Sequence, residues 1–472
     1  MRTRSYLRPL GAVAVLALLA VPLLAGGGVA GAAPRLPAAF DPEILSPRSS
    51  GRAIVGFDHR VTGATIARLS RAGIRRAVVL DTIDAVGLAG PVDSYKRVAA
   101  WDDVAYVDSD SPITWLNYAA KKDTNVTDVR RGRRPLRRKF NGKGVTVAVV
   151  DTGVEAVHQD LDDRVVRHVN FEPAWFFDSI NDGKYSDQAA EGTGNPVDSY
   201  GHGTHVAGIV AGTGEAADSK ADMSGVAPGA KLVNIKIADV HQGVTCSIPC
   251  DFGWEMNALV AYEWVIEHRN AKAFPGGIRI ATNSWSIYEV DSEAEPITMI
   301  VKAAYRKGLV NVFAAGNDGP KRNTVAPGPN SIEQSITVAA ACKSVDSCGK
   351  DKIAEFSSRG RKVDIAAPGD NVYSTVARAS VLWPIGSHEP PGGPADVPDY
   401  TGFSGTSMAT PHVAGIVALM LDANPKLTPR RVERVLTRTA MDKGPSGFDI
   451  AWGHGLANAY RAVVRAQRLR LP

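Results

Sequence analysis

Residues 145–154 read VTVAVVDTGV. The run Val145–Val150 has no polar face, so it predicts a strand covered on both sides, as parallel strands in α/β sheets are. Similar runs lie at Leu232–Ile237, Ile278–Asn283 and Val310–Ala315, with helical stretches at Gly203–Ala211, Trp254–Glu267 and Ile297–Lys307. That alternation predicts an α/β fold: a doubly wound, mostly parallel sheet with helices on both faces. Sheets of this kind carry their functional groups just past the carboxyl ends of the strands. Asp151, which ends the first run, stands at such a place.

Upstream the pattern is different. Arg52–Phe57, Ala77–Leu80, Ala85–Leu88 and Val104–Asp108 are strand-like, while Thr65–Ala72 and Tyr95–Ala100 are helical. The order β-α-β-β-α-β predicts a small α+β unit of the split βαβ, ferredoxin-like kind over 51–112. Residues 33–50, rich in Pro, Ala and Ser, read as a linker. The chain of 472 residues thus divides into one large domain and one small one. Its apolar fraction of 44% is ample for a buried core.

The net charge of +5 is small for this length. Residues 1–118 hold 13 Lys and Arg against 10 Asp and Glu, and the remainder holds 41 against 39. A near-neutral main body argues against a nucleic-acid partner. The basic stretch Arg130–Lys139 has no interleaved aromatics for base stacking and is expected to be a solvated linker.

At the N-terminus, Arg2, Arg4 and Arg8 precede an apolar run from Leu10 to Ala25 and the small residues Ala30-Gly31-Ala32. This is the layout of a secretory signal peptide over 1–32. The run is short for a membrane span, so no anchor is expected in the mature form. No Arg-Arg pair precedes it, which points to general secretion. Four cysteines, Cys246, Cys250, Cys342 and Cys348, suit two disulfides in an exported chain. Local pairing, 246–250 and 342–348, is preferred among three connectivities, and no zinc-type His or Cys cluster accompanies them.

Three short motifs stand at expected strand or helix ends: Asp151-Thr152-Gly153-Val154, Gly201-His202-Gly203-Thr204-His205 and Gly405-Thr406-Ser407-Met408-Ala409-Thr410-Pro411-His412. A serine hydroxyl is a weak nucleophile until a base takes its proton. Imidazole is suited to that and can return the proton to a leaving amine. A carboxylate on the far side of the ring fixes its tautomer. Single residues at such positions are ordinarily caps or turn residues, and His205 and His412 are read that way. The joint occurrence carries the chemistry.

The three motifs, in the order Asp151, His202, Ser407, resemble the catalytic signatures of the subtilisin-like serine proteases. Ala314-Ala315-Gly316-Asn317 resembles the segment that ends in that family's oxyanion-hole asparagine. Phe356–Gly360, Ala366–Gly369 and Gly453–Ala459 resemble its later signatures, so the likeness spans roughly residues 140–465. It implies a secreted serine endopeptidase acting on protein or peptide substrates through an acyl-enzyme, with no cofactor needed for the chemistry. It also implies that residues 51–118 are an inhibitory propeptide, cut off by the enzyme itself between about 111 and 122, and that 119–472 form the peptidase domain. A monomer is expected.

Ser284, Trp285 and Ser286 resemble the strand that lines the substrate cleft. The family usually has glycine where Ser286 stands, which would narrow the first specificity pocket. With no acid at Val325–Pro329, uncharged residues of small or medium size are expected before the cut bond. Asp160 aligns with a position that often binds structural calcium, yet a hard cation needs six to eight oxygens and one carboxylate does not supply them. The Pro- and Gly-rich stretch Ala379–Tyr400 is longer than the family pattern leads one to expect. An esterase is the alternative for the same nucleophile, but the Ser407 motif lacks the G-x-S-x-G elbow.

Overall fold

In the computed structural model the run at 145–154 contains an interior strand of the larger sheet, β5 (Thr146–Asp151), buried throughout. The structure describes residues 52–74, 76–80, 85–89, 92–109, 123–171, 197–217, 222–240, 251–253, 255–286, 296–342, 348–349, 351–385 and 399–469. The signal segment, the 33–50 linker, residues 111–122, Cys246 and Cys250 lie outside them. Two compact units divide the chain between Pro112 and Ile113.

The smaller unit contains β1 (Arg52–Phe57), α1 (Gly63–Arg71), β2 (Arg76–Leu80), β3 (Ala85–Ala89), α2 (Val92–Ala99) and β4 (Val104–Ser109). Its antiparallel sheet runs β2-β3-β1-β4, the split βαβ arrangement expected from the pattern. Val55, Leu69, Val86, Tyr95 and Val98 form its core, and each is fully buried. Thr62 and Thr65 close a reciprocal capping box that starts α1.

The larger unit begins with α3 (Val126–Arg130), then β5, β6 (Val165–Asn170), α4 (His202–Ala211), β7 (Lys231–Lys236) and a small pair β8 (Ala238–Val240) and β9 (Asp251–Gly253). There follow α5 (Glu255–His268), β10 (Ile278–Asn283), α6 (Pro296–Arg306), β11 (Val310–Ala314), β12 (Ser335–Ala341), β13 (Ile365–Pro368), β14 (Val372–Thr375), β15 (Tyr400–Phe403), α7 (Thr406–Ala423), α8 (Pro429–Thr439) and α9 (Ala459–Arg468). Seven parallel strands run in the order β13-β12-β11-β10-β5-β7-β6. The order reverses beside β5, and a crevice opens at such a switch point.

Strand alternation sorts the core into two layers. Val147 and Val149 pack with α4, α7, α8 and α9, while Ala148 and Val150 pack with α5 and α6 on the other face. Helix α7 is buried along nearly its whole length, as the unbroken apolar run Val413–Leu421 requires.

The stretch 130–139 is mostly exposed, as expected, but it is anchored to the fold through Leu136 and its flanks. Val126, Val129, Leu136 and Phe140 are buried in the same core as α7, and Arg138 pairs with the buried carboxylate of Asp422. Arg130 binds Ser224 at 2.6 Å and Arg133 binds Asp128 at 2.9 Å. Arg130, Arg133 and Arg138 are thus paired within the fold, and the partners of Arg130 and Arg138 come from far along the chain, out of sight in local sequence. The described residues contain no helix long and apolar enough to cross a membrane.

Candidate active site

The site is assembled from two strand ends and two helix starts. Asp151 ends β5 and is almost fully buried, and His202 opens α4 with its side chain 19% exposed. His202 Nδ1 lies 2.7 Å from Asp151 Oδ1. The same oxygen accepts the Thr152 N–H at 2.9 Å. Glycine is needed on both sides of His202. Gly201 has φ +101°, and a Cβ on Gly203 would stand 2.1 Å from the Gly153 carbonyl, so only glycine lets α4 come this close to the β5 end.

Ser407 lies in the first turn of α7, where its own N–H has no intrahelical partner. Its hydroxyl donates to the Ser284 carbonyl at 3.1 Å, and the Ser284 hydroxyl donates back to the Ser407 carbonyl at 2.8 Å. Pro411 explains the second bond. Lacking an N–H, it cannot pair with the carbonyl four residues earlier, that of Ser407. Ser284 supplies the missing donor.

Asn317 follows β11 and is exposed. Its Oδ1 accepts the Thr406 N–H and the Thr406 hydroxyl, both at 3.0 Å. A backbone N–H can only donate, so the accepting atom is the oxygen and the amide orientation is fixed. Nδ2 is then the end left over. It lies 3.7 Å from where a Cβ on Gly405 would sit, beside the Ser407 turn. A side chain at Gly405 would fill the space in front of that amide.

Of the three expected cleft residues, Trp285 is turned to the sheet. Its indole N–H donates to the Val150 carbonyl at 2.9 Å and its ring meets Phe313 edge-on at 5.4 Å. Its carbonyl accepts from Asn330 Nδ2 at 2.9 Å. Ser286, partly exposed, ends this described segment. The described part of the long stretch before Ser407 lies against the turn that precedes His202, with Val381 N–H on the Ser199 carbonyl and Leu382 N–H on that of Tyr200.

Sequence reasoning missed Asp198. It is fully buried and accepts four hydrogen bonds, from Gly201 N–H (2.7 Å), Thr152 hydroxyl (2.9 Å), Thr204 N–H (2.8 Å) and Thr204 hydroxyl (2.6 Å). Burial raises its pKa above the usual carboxylate value, and the bonds from Thr204, Gly201 and Thr152 oppose that rise. Beside it, the buried Lys236 ammonium donates to the Val197 carbonyl at 2.7 Å. The only available signal was an Asp four residues before His202 with Thr152 and Thr204 nearby, which is an ordinary cap pattern.

Asp160 does not fit a calcium ion. Its Oδ1 accepts the Ala216 N–H at 2.9 Å and the Thr213 hydroxyl at 3.4 Å, and its Oδ2 accepts the Tyr400 hydroxyl at 2.7 Å. A cation needs oxygen acceptors where these donors stand. Burial, then the Asp160 charge, pushes the Tyr400 hydroxyl far above its usual pKa, so it stays a donor. Cys342 and Cys348 are joined as a disulfide, with Cα atoms 5.7 Å apart.

The sequence model of the Subtilase family, Peptidase_S8, matches residues 142–455. Serine protease AprX of Bacillus subtilis (strain 168) is 35% identical over 69% of this chain and 67% of its own length. Subtilisin DY of Bacillus licheniformis is 32% identical over 69% of this chain and 92% of its own. Among solved structures, Sphericase is similar with a TM-score of 0.54 and 27% identity, covering 74% of this chain and 99% of that one.

Proposed function

The chain belongs to the subtilase family and is a serine endopeptidase, and from that membership we propose that it cuts peptide bonds with Ser407 as nucleophile, His202 as base and Asp151 as the ring's anchor. The 2.7 Å bond from His202 Nδ1 to Asp151 carries this reading. It keeps the proton on Nδ1, so Nε2 is the basic nitrogen. Ser407 Oγ attacks the substrate carbonyl as Nε2 takes the hydroxyl proton. The carbonyl oxygen becomes an oxyanion, met by Asn317 Nδ2 and the Ser407 N–H at the start of α7. The imidazolium passes its proton to the leaving amine as the C–N bond breaks. Water, activated by the same ring, then releases the acyl group from Ser407. No cofactor takes part.

The smaller unit, in this reading, is an inhibitory propeptide of a secreted zymogen, and the mature form is a monomer without membrane anchor or nucleic-acid partner. Support comes from the signal-like N-terminus, the split βαβ order and the relatives named above. Ser286 gives the first pocket a preference for uncharged residues of small or medium size. The test is expression of wild type and Ser407→Ala. Wild type alone should be processed between residues 111 and 122 and should degrade casein. Equal processing of both proteins, or of neither, refutes the reading.

A further inference from the structure

We infer that Asp198 is a positioning residue for the Asp151–His202 pair, acting through the Thr152 hydroxyl. The inference rests on the catalytic reading just given.

A helix cap alone accounts for two of its four bonds. Gly201, the residue before α4, has no side chain to cap with, and Asp198 reaches back over it to the N–H groups of Gly201 and Thr204. The bond from Thr152 needs another reason. Thr152 directly follows Asp151, and its Oγ1 also accepts the N–H of Gly203, the residue after His202, at 2.9 Å. One hydroxyl therefore joins the chain beside the carboxylate to the chain beside the imidazole. It has one hydrogen to give. Asp198 Oδ1 at 2.9 Å takes it, and Asp151 Oδ1 stands at 3.4 Å.

The second consequence is electrostatic. Asp151 Oδ2 accepts no hydrogen bond among the described residues, so Oδ1 carries the whole interaction with His202. Without Asp198 the Thr152 hydroxyl is free to turn onto Asp151 Oδ1 and compete with the imidazole there. Asp198 thus holds α4 in place and keeps a competing donor away from Asp151. Thr204 extends the same frame, since its hydroxyl also accepts the Glu155 N–H at 3.0 Å.

Mature wild type, Asp198→Asn, Thr152→Val and the double variant are compared, with active sites counted by a serine-directed irreversible inhibitor. Displacements of this kind cost on the order of 100-fold in rate, so Asp198→Asn should lose about 10- to 100-fold in kcat per active site with KM little changed. The acid limb of its kcat/KM profile should move to lower pH. Both the lost negative charge and the returning Thr152 hydroxyl disfavour imidazolium. In Thr152→Val the hydroxyl is gone, so kcat should fall while the limb moves less. The double variant should lose no more than the worse single one, because both act through one link. A lower melting temperature with unchanged kcat per active site and an unmoved acid limb overturns the inference. So does full additivity in the double variant. Should Asp198→Asn fail to fold, Thr152→Val decides: unchanged kcat per site refutes the link. An inactive wild type, or an active Ser407→Ala measured alongside, strikes the catalytic reading itself.

Discussion

Replacing Tyr400 by Phe removes one oxygen from a fully enclosed place. Tyr400 is 1% exposed, Asp160 is wholly buried, and their bond measures 2.7 Å. A hydrogen bond to an ionised carboxylate is worth about 1.5–3 kcal/mol. Asp160 keeps its two donors on Oδ1, so the loss is confined to one contact. For a unit of about 360 residues, an unfolding entropy of about 2.1 cal/mol/K per residue amounts to roughly 0.75 kcal/mol/K. Tyr400→Phe should therefore lower the melting temperature by roughly 2–4 °C. Calcium held here at 100 times its dissociation constant would contribute about 2.7 kcal/mol by mass action, a shift of similar size.

The two accounts separate in one assay. Mature enzyme, inhibited to stop autolysis, is melted with calcium and with chelator, as wild type, Tyr400→Phe and Asp160→Asn. The hydrogen-bonded tie predicts that both variants melt lower in either buffer and that chelation leaves the wild type within about 1 °C, well below the shift that calcium would give. A chelator shift of several degrees in wild type that vanishes in Asp160→Asn would refute the tie and put a cation on Asp160. So would a Tyr400→Phe that melts with the wild type.

Asn317→Ala should keep KM and lose turnover. Removal of the corresponding donor in subtilisin costs about 100- to 1,000-fold in turnover, and a loss on that scale is expected. An Asn317→Ala enzyme within about threefold of wild type would remove the oxyanion role, since that is far below the cost of losing such a donor. Burial pushes the Asp364 carboxyl up to about 7, against the Thr337 N–H that favours its ionised form. Its contribution to stability is thus complete below the unfolded carboxyl range and is lost as pH rises through about 7. The melting temperature of Asp364→Asn relative to wild type should climb between about pH 4 and pH 7 and then level off. A difference independent of pH contradicts this. Ser286→Gly should broaden cleavage toward larger residues before the cut bond in a peptide library, and an unchanged profile, or strong selection for Lys or Arg by the parent enzyme, argues against the pocket assigned to Ser286.

The parts of the fold that sequence exposes are those whose residues answer to a local demand. The runs that became β5, β7, β10 and β11 are apolar because both faces of a central parallel strand are covered, and that reads directly. β6 was not legible. Its residues Val165–Asn170 are only half covered at the sheet edge and carry Arg167 and His168. β13 has four residues, too few to show a period. The exposure of 130–139 was legible from its charge, while its anchoring was not, because the partners of Arg130 and Arg138, Asp222 and Asp422, arrive from far along the chain.

The same distinction runs through the site. Gly201 and Pro411 sit beside His202 and Ser407 because the backbone there has to turn or release a carbonyl, and each need arises within four residues, while Gly203 is a motif glycine whose reason, close approach to the Gly153 carbonyl, appears only in the fold. Such residues form motifs. Thr406, Trp285 and the bond from Thr152 to Asp198 meet needs that arise only once separate strands and helices converge. Thr406 fixes an amide 89 residues away, and Trp285 spans 135 residues to hold the carbonyl just before Asp151. Nothing in local spacing demands a Thr or a Trp there, so a reader of the chain sees an ordinary helix start and a bulky cleft residue. The groups proposed to meet the substrate stand in recognisable motifs, and the groups that orient them do not. Orientation is a property of the assembled sheet, and it is carried by side chains whose partners the chain reaches only by folding.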